Sequence, residues 1–197
     1  MKWARTHKEV FKMNNSIAIS KKAVIAKVII AATGIIAAVA LPQVFHFVGN
    51  VSGTGAALGA SLLPMHIPVL LAGFLGGPVS GVIAGVLSPV VSAAISGMPA
   101  AAMLPFMIIE LGVYGLVSGL LSKTKLNGFV KLLITQVAGR AARALAVIAA
   151  IYLFGNAELT LAAIPQFIVT GLFGIMIQWA VIPLLSERLE RVKKLYE

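Results

Sequence analysis

Six stretches of this chain are long and apolar enough that lipid is the natural place for them, and they leave little of the sequence for anything else. They fall at about 23–41, 63–76, 79–96, 104–121, 130–154 and 163–185. A helix crossing the hydrocarbon core needs about 20 predominantly apolar residues, and only helices or closed barrels satisfy every backbone polar group there. The run at 63–76 is short and carries Pro64 and Pro68, which predicts a broken or kinked span. The expected fold is an all-α integral membrane protein of six transmembrane helices. It forms a single membrane domain over 1–197, with a basic leader at 1–22 and a charged tail at 186–197.

Composition agrees, with 59% hydrophobic and 11% charged residues, where soluble domains carry about a quarter charged. A formal charge of +10 would suggest nucleic acid in a soluble protein. Its distribution argues for anionic lipid instead. Of the sixteen Lys and Arg, seven precede or open the first run (Lys2, Arg5, Lys8, Lys12, Lys21, Lys22, Lys27). Three flank the turn after the fourth run (Lys123, Lys125, Lys131), and four come after the last (Arg188, Arg191, Lys193, Lys194). All fourteen fall on one side of a six-span topology, which predicts cytoplasmic N and C termini by the positive-inside rule. The basic leader before Ala38-Val39-Ala40 also resembles a signal peptide, but the run's length and the further spans after it favour a retained helix.

Between the first two runs, 42–62 is rich in Gly, Ser and Asn without a single Lys, Arg, Asp or Glu, and reads as a long uncharged loop. Small residues recur at helix-packing spacing in the third run (Gly77, Gly81, Gly85), the fourth (Gly115, Gly119) and the fifth (Ala138, Ala142, Ala146). Such ridges let helix backbones approach closely in lipid.

The anomaly is charge at depth. Arg140 lies about two and a half turns beyond Lys131 in the fifth run, and Gln136, Arg140, Arg143 and Val147 share one helical face. Glu110 in the fourth run sits one turn from Tyr114. Buried charges in a bilayer cost a few kcal/mol each and face protein or a watery cavity. One acid cannot neutralise two arginines, so an anionic ligand is a candidate partner for the guanidinium fork. The plain alternative is a Glu110–Arg pair that pins two helices. Further candidates are His66 between its two prolines, and Gln43, His46 and Asn50 in the long segment. Asn156 and Gln166 lie near the fifth loop, and Phe45, Phe47, Phe106, Tyr152 and Phe154 are possible cavity walls.

Enzyme signatures are missing. No G-x-x-x-x-G-K-[ST], H-E-x-x-H or G-x-S-x-G occurs, the chain has no Asp and no Cys, and its three histidines form no metal-ligand pattern. No catalytic residue, metal or cofactor is expected.

Three segments carry a family resemblance: LLPMHIPVLLAGFLGGPVSGVIAGVLSPVVSAAISGMP (62–99), LPFMIIELGVYGLVSGLL (104–121) and AGRAARAL (138–145). With the topology they resemble the substrate-binding S components of energy-coupling factor (ECF) vitamin transporters, in their folate/pantothenate-like branch. The resemblance implies a high-affinity binding subunit in the cell membrane. It works with a coupling membrane subunit and two ATPase subunits, and takes up a vitamin or related micronutrient. Arg140, Arg143, Glu110, Tyr114, His66, Gln43, His46 and Asn50 become the substrate-binding candidates. Their charge favours an anionic vitamin, pantothenate-like first, with folate or cobalamin as alternatives. S components often carry Ala-x-x-x-Ala in helix one for docking the coupling subunit. Here Thr33/Ala37 and Gly34/Ala38 stand at that spacing. The competing reading is a stand-alone channel or secondary transporter for a small anion.

Overall fold

The computed structural model describes residues 2–55, 57–156 and 159–195, and within them the chain is all helical. Eight helices succeed one another among these residues: α1 Lys2–Val51, α2 Ala57–Leu62, α3 His66–Gly76, α4 Pro78–Ser96, α5 Leu104–Leu121, α6 Gly128–Tyr152, α7 Ala163–Thr170 and α8 Leu172–Leu195. Five segments are long and apolar enough to span a bilayer, with Ala57–Gly76 counted as one. The pair Ala163–Thr170 and Leu172–Ser186, bent by 44° at Gly171, makes a sixth if it crosses as one broken span. Their outer faces stay apolar: Val28, Ile29 and Ile36 on α1, Leu120 on α5, Val137 and Leu145 on α6, and Phe173 and Met176 on α8 are all exposed. A soluble monomer rarely shows contiguous apolar surface on this scale. Lipid is the solvent that accounts for it, and the protein is a multi-pass membrane protein.

The structure departs from the sequence expectation in two places. The stretch 42–62 is largely helical, because α1 continues through Pro42 to Val51 and α2 occupies 57–62. Proline inside a membrane helix is tolerated where neighbouring structure compensates the lost hydrogen bond. Here Pro42 is buried, and Gly59 on α2 leaves room for the His46 ring. The last run is likewise two helices, broken at Thr170-Gly171. The short second run is helical from His66 to Gly76. Its break lies at Leu63–Met65, and Leu63 adopts a left-handed backbone (φ 49°) ahead of Pro64.

Turns fall where the chain has the chemistry for them. Gly77 (φ 82°) and Gly97 (φ 70°) close α3 and α4, their N–H groups donating to the Gly73 and Ala93 carbonyls, in the left-handed region that glycine enters without strain. Asn127 caps α6, its side-chain oxygen accepting from the Phe129 N–H at 3.0 Å.

Helix α5 lies at the centre, packed on α3, α4 and α6, while α1 covers α3 and α4. The α4–α5 contact is backbone against backbone. A Cβ on Gly81 or Gly115 would fall inside the other helix's main chain, Gly85 abuts the Leu111 carbonyl, and Gly119 abuts Pro78. Gly81, Gly85, Gly115 and Gly119 of the expected small-residue ridges therefore serve internal packing. Val69, Leu70, Leu111, Tyr114, Leu132 and Ile182 fill the core beside this seam.

Candidate functional site

Beside the α4–α5 connection a cavity of about 460 Å³ opens. Its lining comes from almost every helix: Pro42 and His46 on α1, Gly59 on α2, His66 at the start of α3, Ser92 on α4, Arg140 and Arg143 on α6, and Phe167 on α7.

The deepest part is a charge cluster. Glu110 on α5 is fully buried. Arg143 Nη1 donates to its Oε2 at 2.6 Å. Arg140 Nη1 stands 3.2 Å from Oε1 and donates to the Phe167 carbonyl at 3.3 Å. His66 Nε2 approaches the same Oε1 at 3.7 Å. Tyr114 supports the cluster from one turn along α5, its ring edge-on to His66 with centroids 5.3 Å apart. Gly139 on α6 makes this fit possible, since a Cβ there would penetrate the Tyr114 ring.

Glu110 is the only acidic residue between Glu9 and Glu158, so two guanidinium groups share one carboxylate. Charge balance is left at one excess positive. Hydrogen bonding is incomplete as well: Arg140 Nε and Nη2, Arg143 Nε, both His66 ring nitrogens and the Glu110 Oε1 acceptor are buried without a hydrogen bond. Buried polar groups are nearly always hydrogen-bonded, so this cluster stands out as a concentration of unmatched polar atoms beside the cavity. Helix α7 leans on this cluster. Arg143 stacks on the Phe167 ring, 3.9 Å from its centroid, and no α7 residue is buried.

A second polar group lies farther from the cavity, between α6 and α8. Gln136 Nε2 donates to Gln178 Oε1 at 2.9 Å, and Trp179 Nε1 donates to Gln136 Oε1 at 2.6 Å. It completes the polar face of α6 expected from the sequence.

Of the sequence candidates, Arg140, Arg143, His66 and His46 line the cavity, with Glu110 and Tyr114 directly behind it. Gln43 and Asn50 are not in its lining. Gln43 donates to Ser96 Oγ at 3.0 Å, and Asn50 is exposed near the end of α1. Because 42–51 is helical, its residues are spread around a cylinder and only Pro42 and His46 face inward to the cavity. Gln166 lines the cavity. The suspected aromatic walls do not: Phe47, Tyr152 and Phe154 are exposed, Phe106 is buried elsewhere, and Phe45 is not in the lining.

What sequence reading missed is Phe167 and a set of methionines, Met65, Met98, Met103 and Met107. The close spacing of Met98, Met103 and Met107 around the α4–α5 turn was the available signal. On helix one, Gly34 and Ala38 are buried, Gly34 against Ala72 and Ala84. Both are packed inside the fold. Thr33 is exposed and Ala37 half-buried.

Compared with known proteins, the chain matches over residues 22–186 the model of the family described as "ECF transporter, substrate-specific component". Neither the curated proteins nor the solved structures give a match.

Proposed function

The chain belongs to the family of substrate-specific components of ECF transporters, and we propose that its substrate is a compact organic anion bound over Glu110 by Arg140 and Arg143. The observation that carries this reading is the buried cluster of two arginines on one glutamate, with unmatched N–H groups at a cavity. Arginine presents a planar fork to carboxylates, and a water-excluded site makes each such contact stronger than in solution. The family is one of binding subunits for small molecules, which associate with coupling and ATPase modules and are not themselves enzymes.

At about 460 Å³ the cavity sits toward the small end of ligand pockets, about 300–1,000 Å³. That volume favours an open-chain or single-ring vitamin of pantothenate size. A corrinoid is far bulkier, and folate's ring system would find Phe167 as the one Phe, Tyr or Trp in the lining. Termini in the cytoplasm, as the lysine and arginine distribution predicts, would open the cavity to the outside, where an uptake subunit collects its substrate. Thr33 and Ala37 on α1 remain our candidates for contact with the coupling subunit.

The test is calorimetric titration of the detergent-purified chain, guided by native mass spectrometry of co-purified small molecules. Binding is expected without ATP. Arg140→Ala should weaken it about tenfold to a hundredfold, the value of a charge-assisted hydrogen-bond pair. Liposomes holding the chain alone should pass no substrate. Flux by the isolated chain would instead support the stand-alone transporter.

A further inference from the structure

The cavity is polarised from end to end. Its charges are confined to the buried end, at Arg140 and Arg143, with the unpartnered nitrogens of His66 beside them. The walls above are thioether, proline and aromatic: Met65, Met98, Met103, Met107, Pro99 and Phe167. Ser92 adds little polarity, because its hydroxyl already donates to the Met98 carbonyl at 2.7 Å. Gln166 and Thr170 are exposed, and the Thr170 hydroxyl donates to the Gln166 carbonyl at 2.8 Å. Between the charged end and the half-buried His46 ring, the side-chain groups that could bond a substrate hydroxyl are few: Ser92, and the exposed Gln166 and Thr170.

Charge arithmetic narrows the head group. With the His66 imidazole neutral, Glu110 carries one negative charge and the two arginines two positive ones, so one further negative charge brings the buried end to neutrality. A carboxylate does this. A dianion would overshoot and bring an uncompensated charge into a low-dielectric site, which is strongly unfavourable. Methionine is flexible and polarisable and makes favourable contacts with aliphatic, sulfur-bearing and aromatic groups. It is a poor partner for a hydroxyl that has given up its water.

Resting on the binding-subunit reading above, we infer that the substrate is an amphipathic monoanion: a carboxylate buried head-first at Arg140 and Arg143, with an apolar body held among the methionines and Phe167. This departs from the pantothenate-like expectation, since pantothenate would set hydroxyls against the apolar walls. Each hydroxyl desolvated without a partner should weaken binding about tenfold.

The experiment is calorimetric titration of the purified full-length chain with four probes of matched size. They are an alkyl or aryl monocarboxylate, its primary amide, its dicarboxylate and pantothenate. The monocarboxylate is expected to bind about a hundredfold tighter than the amide, which lacks the charge, and tighter than the other two. Arg140→Ala should remove the acid-over-amide preference. Met107→Gln should instead narrow the gap between the apolar acid and pantothenate while leaving that preference in place. Tightest binding of pantothenate, the dicarboxylate or the amide would overturn the inference and leave the binding-subunit reading standing. Binding of none of these probes, nor of any compound in a broad vitamin panel, would overturn both.

Discussion

Helices α4 and α5 meet in a different way from α6 and α7, although both pairs lie in apolar sequence. The first pair touches through glycines, main chain on main chain, with Gly81 and Gly115 facing each other. The second is held by side-chain charge, with Arg140 on the Phe167 carbonyl and Arg143 on the Phe167 ring. A backbone seam has one arrangement and no room for a third party. A contact made by a guanidinium can be exchanged for another acceptor of similar geometry. The bundle thus pairs a rigid half, which holds Glu110 in place, with a half whose contacts overlap those a ligand would use.

Substitutions on each side should break that comparison unequally. Gly115→Ala puts a Cβ into the Gly81 main chain, where nothing flexible can yield, and should destabilise by about 3 kcal/mol or more. Thermal unfolding in detergent would check it, and a wild-type midpoint would show that the seam is not the rigid half. Glu110→Gln leaves two buried guanidinium groups without their counter-ion. Breaking a buried pair in this way costs about 3–5 kcal/mol, so we expect a lowered midpoint and, because the glutamine still fills the space, recovery toward wild type in Glu110→Gln/Arg143→Met. Failure of the double variant to recover would mean that packing, and not charge, dominates there. Smallest is Thr33→Trp, at an exposed position of α1. It should leave midpoint and ligand affinity unchanged yet lower uptake in cells holding the whole transporter. Unchanged uptake would remove this face from the docking surface.

Much of the architecture was legible from residue order. Span count follows from apolar run length, and the inward face of α6 follows from the spacing of Gln136, Arg140, Arg143 and Val147. The need for an acid partner pointed to Glu110, because the chain offers no other at that depth. That both arginines would share Glu110, and that His66 would join them, depends on how α3 sits against α5. No local pattern encodes that. The reading of 42–62 as a loop failed because Gly, Ser and Asn mark turns in water, whereas α1 here is held helical by burial of Pro42 and Gly49. Phe167 was invisible for a related reason: an apolar residue in an apolar run carries no sign of facing a cavity, and only the break at Gly171 aims it there.

One carboxylate between two arginines also bears on how much of the protein a cell keeps. On the proposed binding at Arg140 and Arg143, a ligand would bind the folded chain and not the unfolded one. At a hundred times its dissociation constant it adds about 2.7 kcal/mol to stability. A shift of that size changes the fraction exposed to quality-control proteases enough to alter abundance several-fold. Supply of the substrate would then set the lifetime of its own receptor. Pulse-chase in cells grown with and without the substrate should show a longer half-life in its presence, and Arg140→Ala should erase the difference. Equal half-lives in both media would mean that the empty cluster is already stable enough to escape turnover.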